Sequence, residues 1–264
     1  MRAMIMALSM VAMLATANSA KADRRIAFVC GNGAYKNMPR LANASISAKA
    51  MVGLLKSAGF EVVQGFDLTR DKMTERLLEF GKKAQGADVA LFYYSGQGIA
   101  VNGTEYLLPI NANIKSEMDI TLGGAINLNL SIDQTMGDAK VKLVFLDASR
   151  DNPFAAATSN SHSVSIKSDL AEMKPPDNTM MVFATGPGQA APDGPAGTVR
   201  PFTRALIANI AAPGVEIQQA MTKVRAQLNQ DTKGQQNSWG HSDISGDVYL
   251  NPAASPANAP ASSK

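Results

Sequence analysis

Short apolar runs alternate with helix-period stretches along most of the chain. Residues 25–30 (RIAFVC) are apolar from Ile26 onward and stop at Gly31, the pattern of a buried strand. Across residues 43–58 the apolar positions Ala48, Met51, Val52 and Leu55 recur at helical spacing, and Gly59 ends the run. Residues 60–64 read as a second strand. Thr69 then caps a helix whose Met73, Leu77, Phe80 and Ala84 share one face, with Asp71 near its positive N-terminus. Residues 87–94 (ADVALFYY) predict a third strand, residues 101–105 a hairpin turn and residues 106–108 the returning strand. A short helix over 130–136, a fourth strand over 141–146 and a fifth over 180–185 follow. Two further helices carry Phe202, Ala205, Leu206 and Asn209, then Ile217, Met221, Val224 and Leu228.

Strands alternating with helices predict an α/β domain, a mostly parallel central sheet with helices on both faces. Ligands in such sheets sit beyond the carboxyl ends of the strands. Residues 31–35, 95–98, 147–152 and 186–189 are therefore where chemistry is sought. The domain is expected over residues 23–250. Residues 155–178 are rich in Ser, Ala, Asn and Pro and read as a long loop. Residues 251–264 are Pro/Ala/Ser low complexity and read as a disordered tail.

The first 22 residues break the pattern. Met1-Arg2 leads into about 13 residues in which only Ser9 is polar, and Ala20-Lys21-Ala22 forms an A-x-A exit. A basic start, a short apolar stretch and a small-residue exit predict a cleaved signal peptide over residues 1–22. The apolar run falls short of the ~20 residues that a membrane span needs, and no later segment reaches it. The expected location is periplasmic or secreted, with no integral membrane segment after cleavage.

Composition narrows the chemistry. The chain has 264 residues and is 45% apolar, enough for a real core. Its one cysteine, Cys30, excludes a disulfide framework or a multi-cysteine metal site. Its two histidines, His162 and His241, lack ligand spacing, so no metal is expected. A net charge of +3, which falls to +1 once Arg2 and Lys21 are removed, argues against nucleic acid as a partner. Gly31-Asn32-Gly33 lacks the third glycine of a dinucleotide turn, and no phosphate-loop motif occurs, so no cofactor is expected.

Two strand ends carry a resemblance. Tyr93-Tyr94-Ser95-Gly96-Gln97-Gly98 closes the third strand, and Leu146-Asp147-Ala148-Ser149-Arg150-Asp151-Asn152-Pro153-Phe154 closes the fourth. Together they resemble the bacterial caspase-like and metacaspase-type cysteine peptidases (peptidase C14). There the third strand ends in a small-Gly-His-Gly turn and the fourth in Asp-Ala-Cys-Arg. Gln97 lies 52 residues before Ser149, and the caspase pattern sets its histidine about 50 residues before its cysteine. Residues 25–35, 60–71 and 106–109, Ser238-Trp239 and residues 246–249 extend the likeness over roughly 24–250. The resemblance implies the caspase-like (caspase–hemoglobinase) fold.

It also exposes departures. Gln97 stands where the family has its histidine base, and Ser149 where it has its cysteine nucleophile. An amide cannot accept a proton near neutral pH, and a serine hydroxyl is a weak nucleophile without an adjacent base. The resemblance further implies a pocket for basic side chains lined by Asp147 and Ser95. Ser47 stands where a further pocket acid is expected, leaving Asp147 as the remaining carboxylate. Arg150 and Asp151 read as a loop-ordering ion pair. The expectation is an exported pseudo-peptidase, a non-catalytic module that binds a peptide or protein by strand addition. The alternative is a family-type endopeptidase cleaving after Arg or Lys, with Ser149 as nucleophile and His162 or His241 brought in as base. Cys30 ends a buried strand without a local histidine and reads as structural.

Overall fold

The computed structural model describes residues 23–149, 177–186 and 189–252, with Ser149 described in its backbone only. The predicted leader over 1–22, His162, the Arg150–Asp151 pair, and nearly all of the loop over 155–178 and the tail over 251–264 lie outside the described residues.

The elements run β1 (Arg25–Gly31), α1 (Ala44–Ser57), β2 (Glu61–Phe66), α2 (Arg70–Ala84), β3 (Val89–Val101) and β4 (Thr104–Leu107). A single helical turn, α3 (Glu117–Asp119), leads into a wide turn over Ile120–Gly124 that breaks at Gly123, where φ is 107°. Then come β5 (Ile126–Asn127), α4 (Leu128–Met136), β6 (Val141–Ser149), β7 (Thr179–Phe183), α5 (Pro201–Asn209), α6 (Ile217–Asp231) and β8 (Trp239–Ser242).

The main sheet has the order β2-β1-β3-β6-β7-β8, parallel except for β8, as the alternating pattern predicts. Strand alternation divides its side chains between two cores. One packs Val29, Leu91, Tyr93, Phe145 and Val182 against α1, α5 and α6. The other packs Phe28, Phe92, Tyr94 and Val144 against α2 and α4, with Phe28 stacked 4.8 Å from Phe92. The face predicted for the second helix is the one buried: Met73, Leu77, Phe80 and Ala84.

Two differences from the pattern matter for function. Residues 95–98 (SGQG) look like a turn, yet they lie inside β3. The reason is backbone pairing: Ser95 to Gln97 continue the parallel ladder with β6, and Gly98 to Val101 pair antiparallel with β4 through the Asn102-Gly103 turn. Asp147 to Ser149 likewise extend β6 beyond its apolar run. The second difference is β8, whose four residues are all exposed and carry no apolar alternation to announce a strand. It is held by its ladder to β7 and by Trp239 packing 5.8 Å from Phe183.

The start of α1 presses onto the end of β1. A Cβ on Gly31 would lie 2.6 Å from Ala48 Cβ and 2.8 Å from the Ala44 carbonyl oxygen, whereas one on Gly53 would meet nothing. Gly31→Ala is therefore expected to lower folding stability by about 1–3 kcal/mol through overpacking. Gly53→Ala, inside the same helix, is expected to raise it by about 0.5–1 kcal/mol. Urea denaturation of the two variants checks the opposite signs.

Candidate functional site

The strand order reverses direction between β1 and β3, since the chain goes from β1 to β2 on one side and returns to β3 on the other. In open α/β sheets the crevice beyond the strand ends at such a point is the usual ligand site. Every segment singled out in the sequence around Ser47, Ser95, Gln97, Asp147 and Ser149 meets there. Gly31 is the register partner of Ser95, Ser95 of Asp147, and Gln97 of Ser149. Alternation along β3 puts Gln97 on the same side as Ser95, toward α1 and α5.

Two tyrosines fix the backbone beneath Gln97. Its N–H donates to Tyr35 Oη at 2.6 Å, and Tyr94 Oη, with one proton to give, stands 2.9 Å from both its carbonyl and that of Leu108. The two hydroxyls are 3.1 Å apart. A Cβ on Gly96 would lie 2.5 Å from one and 2.7 Å from the other, so only glycine fits between Ser95 and Gln97. Gln97 is buried, with 7% of its surface exposed.

The three residues assigned to the pocket are brought together, around a side chain that the sequence did not single out. Arg200 is the residue before Pro201, which starts α5. The proline ring forces the preceding residue into extended backbone, here with ψ 148°, and this turns the arginine back toward the sheet ends. Its guanidinium is wholly buried. Nη1 donates to the Asp147 carbonyl at 2.6 Å and to Ser95 Oγ at 3.4 Å, and Nη2 donates to the Ala191 carbonyl at 2.9 Å. Nε stands 3.5 Å from Oδ1 of Asp147 and 3.5 Å from Oδ1 of Asp193. The backbone N–H of Arg200 donates to Ser47 Oγ at 2.9 Å. The Asp147 carboxylate accepts a further bond from Thr203 Oγ1 at its other oxygen. The single Thr203 proton being used there, Tyr93 Oη donates to Thr203 at 2.6 Å.

The segment carrying Asp193 is stapled to the start of α1. Asp193 Oδ2 accepts the N–H groups of Ala42 and Asn43 at 2.8 and 3.3 Å. The buried Asn43 amide donates to the carbonyls of Asp193 and Pro195 and accepts from the N–H of Gly197 and Thr198. Asn43 thus spends its side chain on the loop and makes no cap bond to its own helix. Arg200, Asp193 and Asn43 are the residues that sequence reasoning missed. The available signal was Arg200 itself, a charge set between Val199 and Pro201-Phe202 where an apolar helix begins.

The chemistry open to the site follows from what surrounds it. Cys30 belongs to the α2–α4 side of the sheet, opposite Arg200. Burial, then the Asp67 carboxylate, push its thiol far up, which suppresses the thiolate. His241 is the one histidine among the described residues. It lies on β8, opposite Met181, which pairs with Val144. Its backbone is therefore two strands across from β6 and five residues back from Ser149, about 19 Å at ordinary strand spacings.

Asp147→Asn is expected to cost about 3–5 kcal/mol, since it withdraws a partner from a buried guanidinium. Arg204→Ala, which breaks the half-exposed pair with Asp231 (3.1 Å), is expected to cost about 0–1 kcal/mol. Chemical denaturation compares the two. Burial also raises the ionisation of Tyr35, Tyr93 and Tyr94 above the ordinary 10.0 and of Cys30 above 9.0. All four stay protonated in the folded chain and ionise freely when unfolded. Their contribution is therefore complete below about pH 9 and is lost progressively as pH rises beyond it. Tyrosinate absorbance from these three tyrosines is expected to emerge only together with loss of far-ultraviolet circular dichroism.

Comparison with known proteins agrees with this architecture. The caspase domain family, peptidase C14, matches residues 24–249. A human protein, mucosa-associated lymphoid tissue lymphoma translocation protein 1, is 28% identical over 97 residues, which is 37% of this chain and 12% of the human protein. Its mouse homolog is 29% identical over 91 residues, 34% of this chain and 11% of the mouse protein. The chain thus spans about an eighth of the length of these relatives. On the family match over nearly all of its described residues, and on its mostly parallel sheet, the chain belongs to the caspase-domain family, peptidase C14.

Proposed function

We propose that this protein is an exported caspase-domain pseudo-peptidase, a non-catalytic module that binds a peptide or a protein segment in the crevice at the ends of β1, β3 and β6. The observation that carries the reading is the Gln97–Ser149 register pair. The family reaction needs an imidazole that takes a proton and a sulfur that becomes a thiolate, and these two positions offer an amide and a hydroxyl. General-base assistance alone contributes about 10²–10⁴-fold to such reactions, so loss of the base is already severe without loss of the nucleophile.

The other routes to hydrolysis find little support. His241 stands about 19 Å from Ser149 by backbone, beyond the ~3 Å that proton transfer needs. Cys30 is buried on the opposite side of the sheet, with its thiolate suppressed. Export rests on the leader pattern of residues 1–22. Binding by strand addition is the mode that the family resemblance suggests.

Incubation of the purified chain with a proteome-derived peptide library, read by mass spectrometry beside Ser149→Ala, tests this. No cleavage in either sample is expected. Cleavage after Arg or Lys by the wild type and not by Ser149→Ala would overturn the reading in favour of a serine-dependent endopeptidase.

A further inference from the structure

The Arg200 cluster has the composition of a binding site. Two carboxylates, those of Asp147 and Asp193, face one guanidinium, so the group keeps a net negative charge with the cation in place. Asp147 is 1% exposed, and a buried carboxylate of this kind demands a cation. The Asp147 carbonyl and the Ser95 hydroxyl meet Nη1 of the guanidinium, and the Ala191 carbonyl meets Nη2. Such dispersed acceptors suit a planar, five-donor cation and not a compact ammonium. The cluster lies at the reversal point of the sheet, where the Ser95–Asp147 register pair stands two residues before the Gln97–Ser149 pair.

We infer that this pocket is a guanidinium-binding site which the chain fills permanently with its own Arg200, so that the crevice accepts no arginine or lysine of a bound peptide there. The inference deepens the proposed function and rests on its reading of this crevice as the peptide site. It narrows the partner to one whose segment presents no basic side chain at the pocket. The advantage of the internal ligand is concentration. Pro201 holds Arg200 in extended backbone, Ser47 holds its N–H, and Asn43 with Asp193 holds the preceding loop, so the arginine pays little ordering cost. A side chain tethered this way competes at an effective concentration that free peptide does not reach.

Removing the side chain vacates the site, and ethylguanidinium supplies the atoms that Arg200→Ala lacks. The melting temperature of Arg200→Ala is expected to rise by about 3–6 °C at ethylguanidinium ten times its dissociation constant. Ethylammonium at the same ionic strength, and either compound with the wild type, are expected to shift it by less than 1 °C. If the variant does not fold unaided, the readout becomes refolding yield with and without ethylguanidinium. In parallel, wild-type chain is titrated with fluorescent peptides differing by Arg or Ala at one central position.

A rise in melting temperature or refolding yield specific to ethylguanidinium, with no tenfold preference of the wild type for the arginine peptide, upholds the inference. Absence of that rescue overturns it, as does a tenfold preference for arginine in the wild type. Neither readout measures hydrolysis. Peptide cleavage by the wild type would therefore defeat the proposed function while leaving rescue of Arg200→Ala to be judged separately.

Discussion

Everything at the working end of this sheet hangs on the burial of one positive charge. A guanidinium withdrawn from water is tolerable only if counter-charge and acceptors converge on it, and here they come from five stretches of chain. β6 gives a carboxylate and a carbonyl, β3 a hydroxyl, and the loop before α5 a second carboxylate and a carbonyl, while α1 anchors the arginine backbone and α5 steadies the carboxylate through Thr203. Parts far apart in sequence, from Ser47 to Thr203, are thereby obliged to meet at one place. A half-formed version of such a centre strands a buried charge without its partners.

How much of this is legible in the sequence differs by element. α2 is read to the residue, because Met73, Leu77, Phe80 and Ala84 are all buried for one reason, helical periodicity against a sheet. The central strands are legible because apolar runs between turn residues leave no other home. Gln97 and Ser149 are found through motif likeness, and their juxtaposition in the ladder follows from parallel pairing of β3 with β6. The ends of those two strands are misjudged. SGQG has turn composition, and only the partners on both sides of β3 keep it extended. β8 escapes notice because a four-residue exposed strand has no hydrophobic signature and exists by virtue of its neighbour.

Arg200 is harder to read for a deeper reason. Charged residues are almost always exposed, and its apolar neighbours Val199 and Pro201-Phe202 hint at burial without saying what would receive the charge. Its burial is decided by Asp147 and Asp193, and their proximity is a property of the finished fold. The same holds for Asn43, which looks like a helix cap and instead laces the helix start to the loop that carries Asp193. Ser47 changes meaning in this light. Where resemblance suggests a missing acid, the structure has a hydroxyl positioned to accept the Arg200 N–H.

The two tyrosines under β3 have one last consequence. Tyr35 and Tyr94 grip residues 97 and 108 by main-chain atoms alone, and the ladder to β6 does the same for residue 149. These contacts hold both positions through backbone atoms. The shape of the strand ends is thus fixed separately from whatever chemistry their side chains perform, and substitution at such a position can alter reactivity without unmaking the frame.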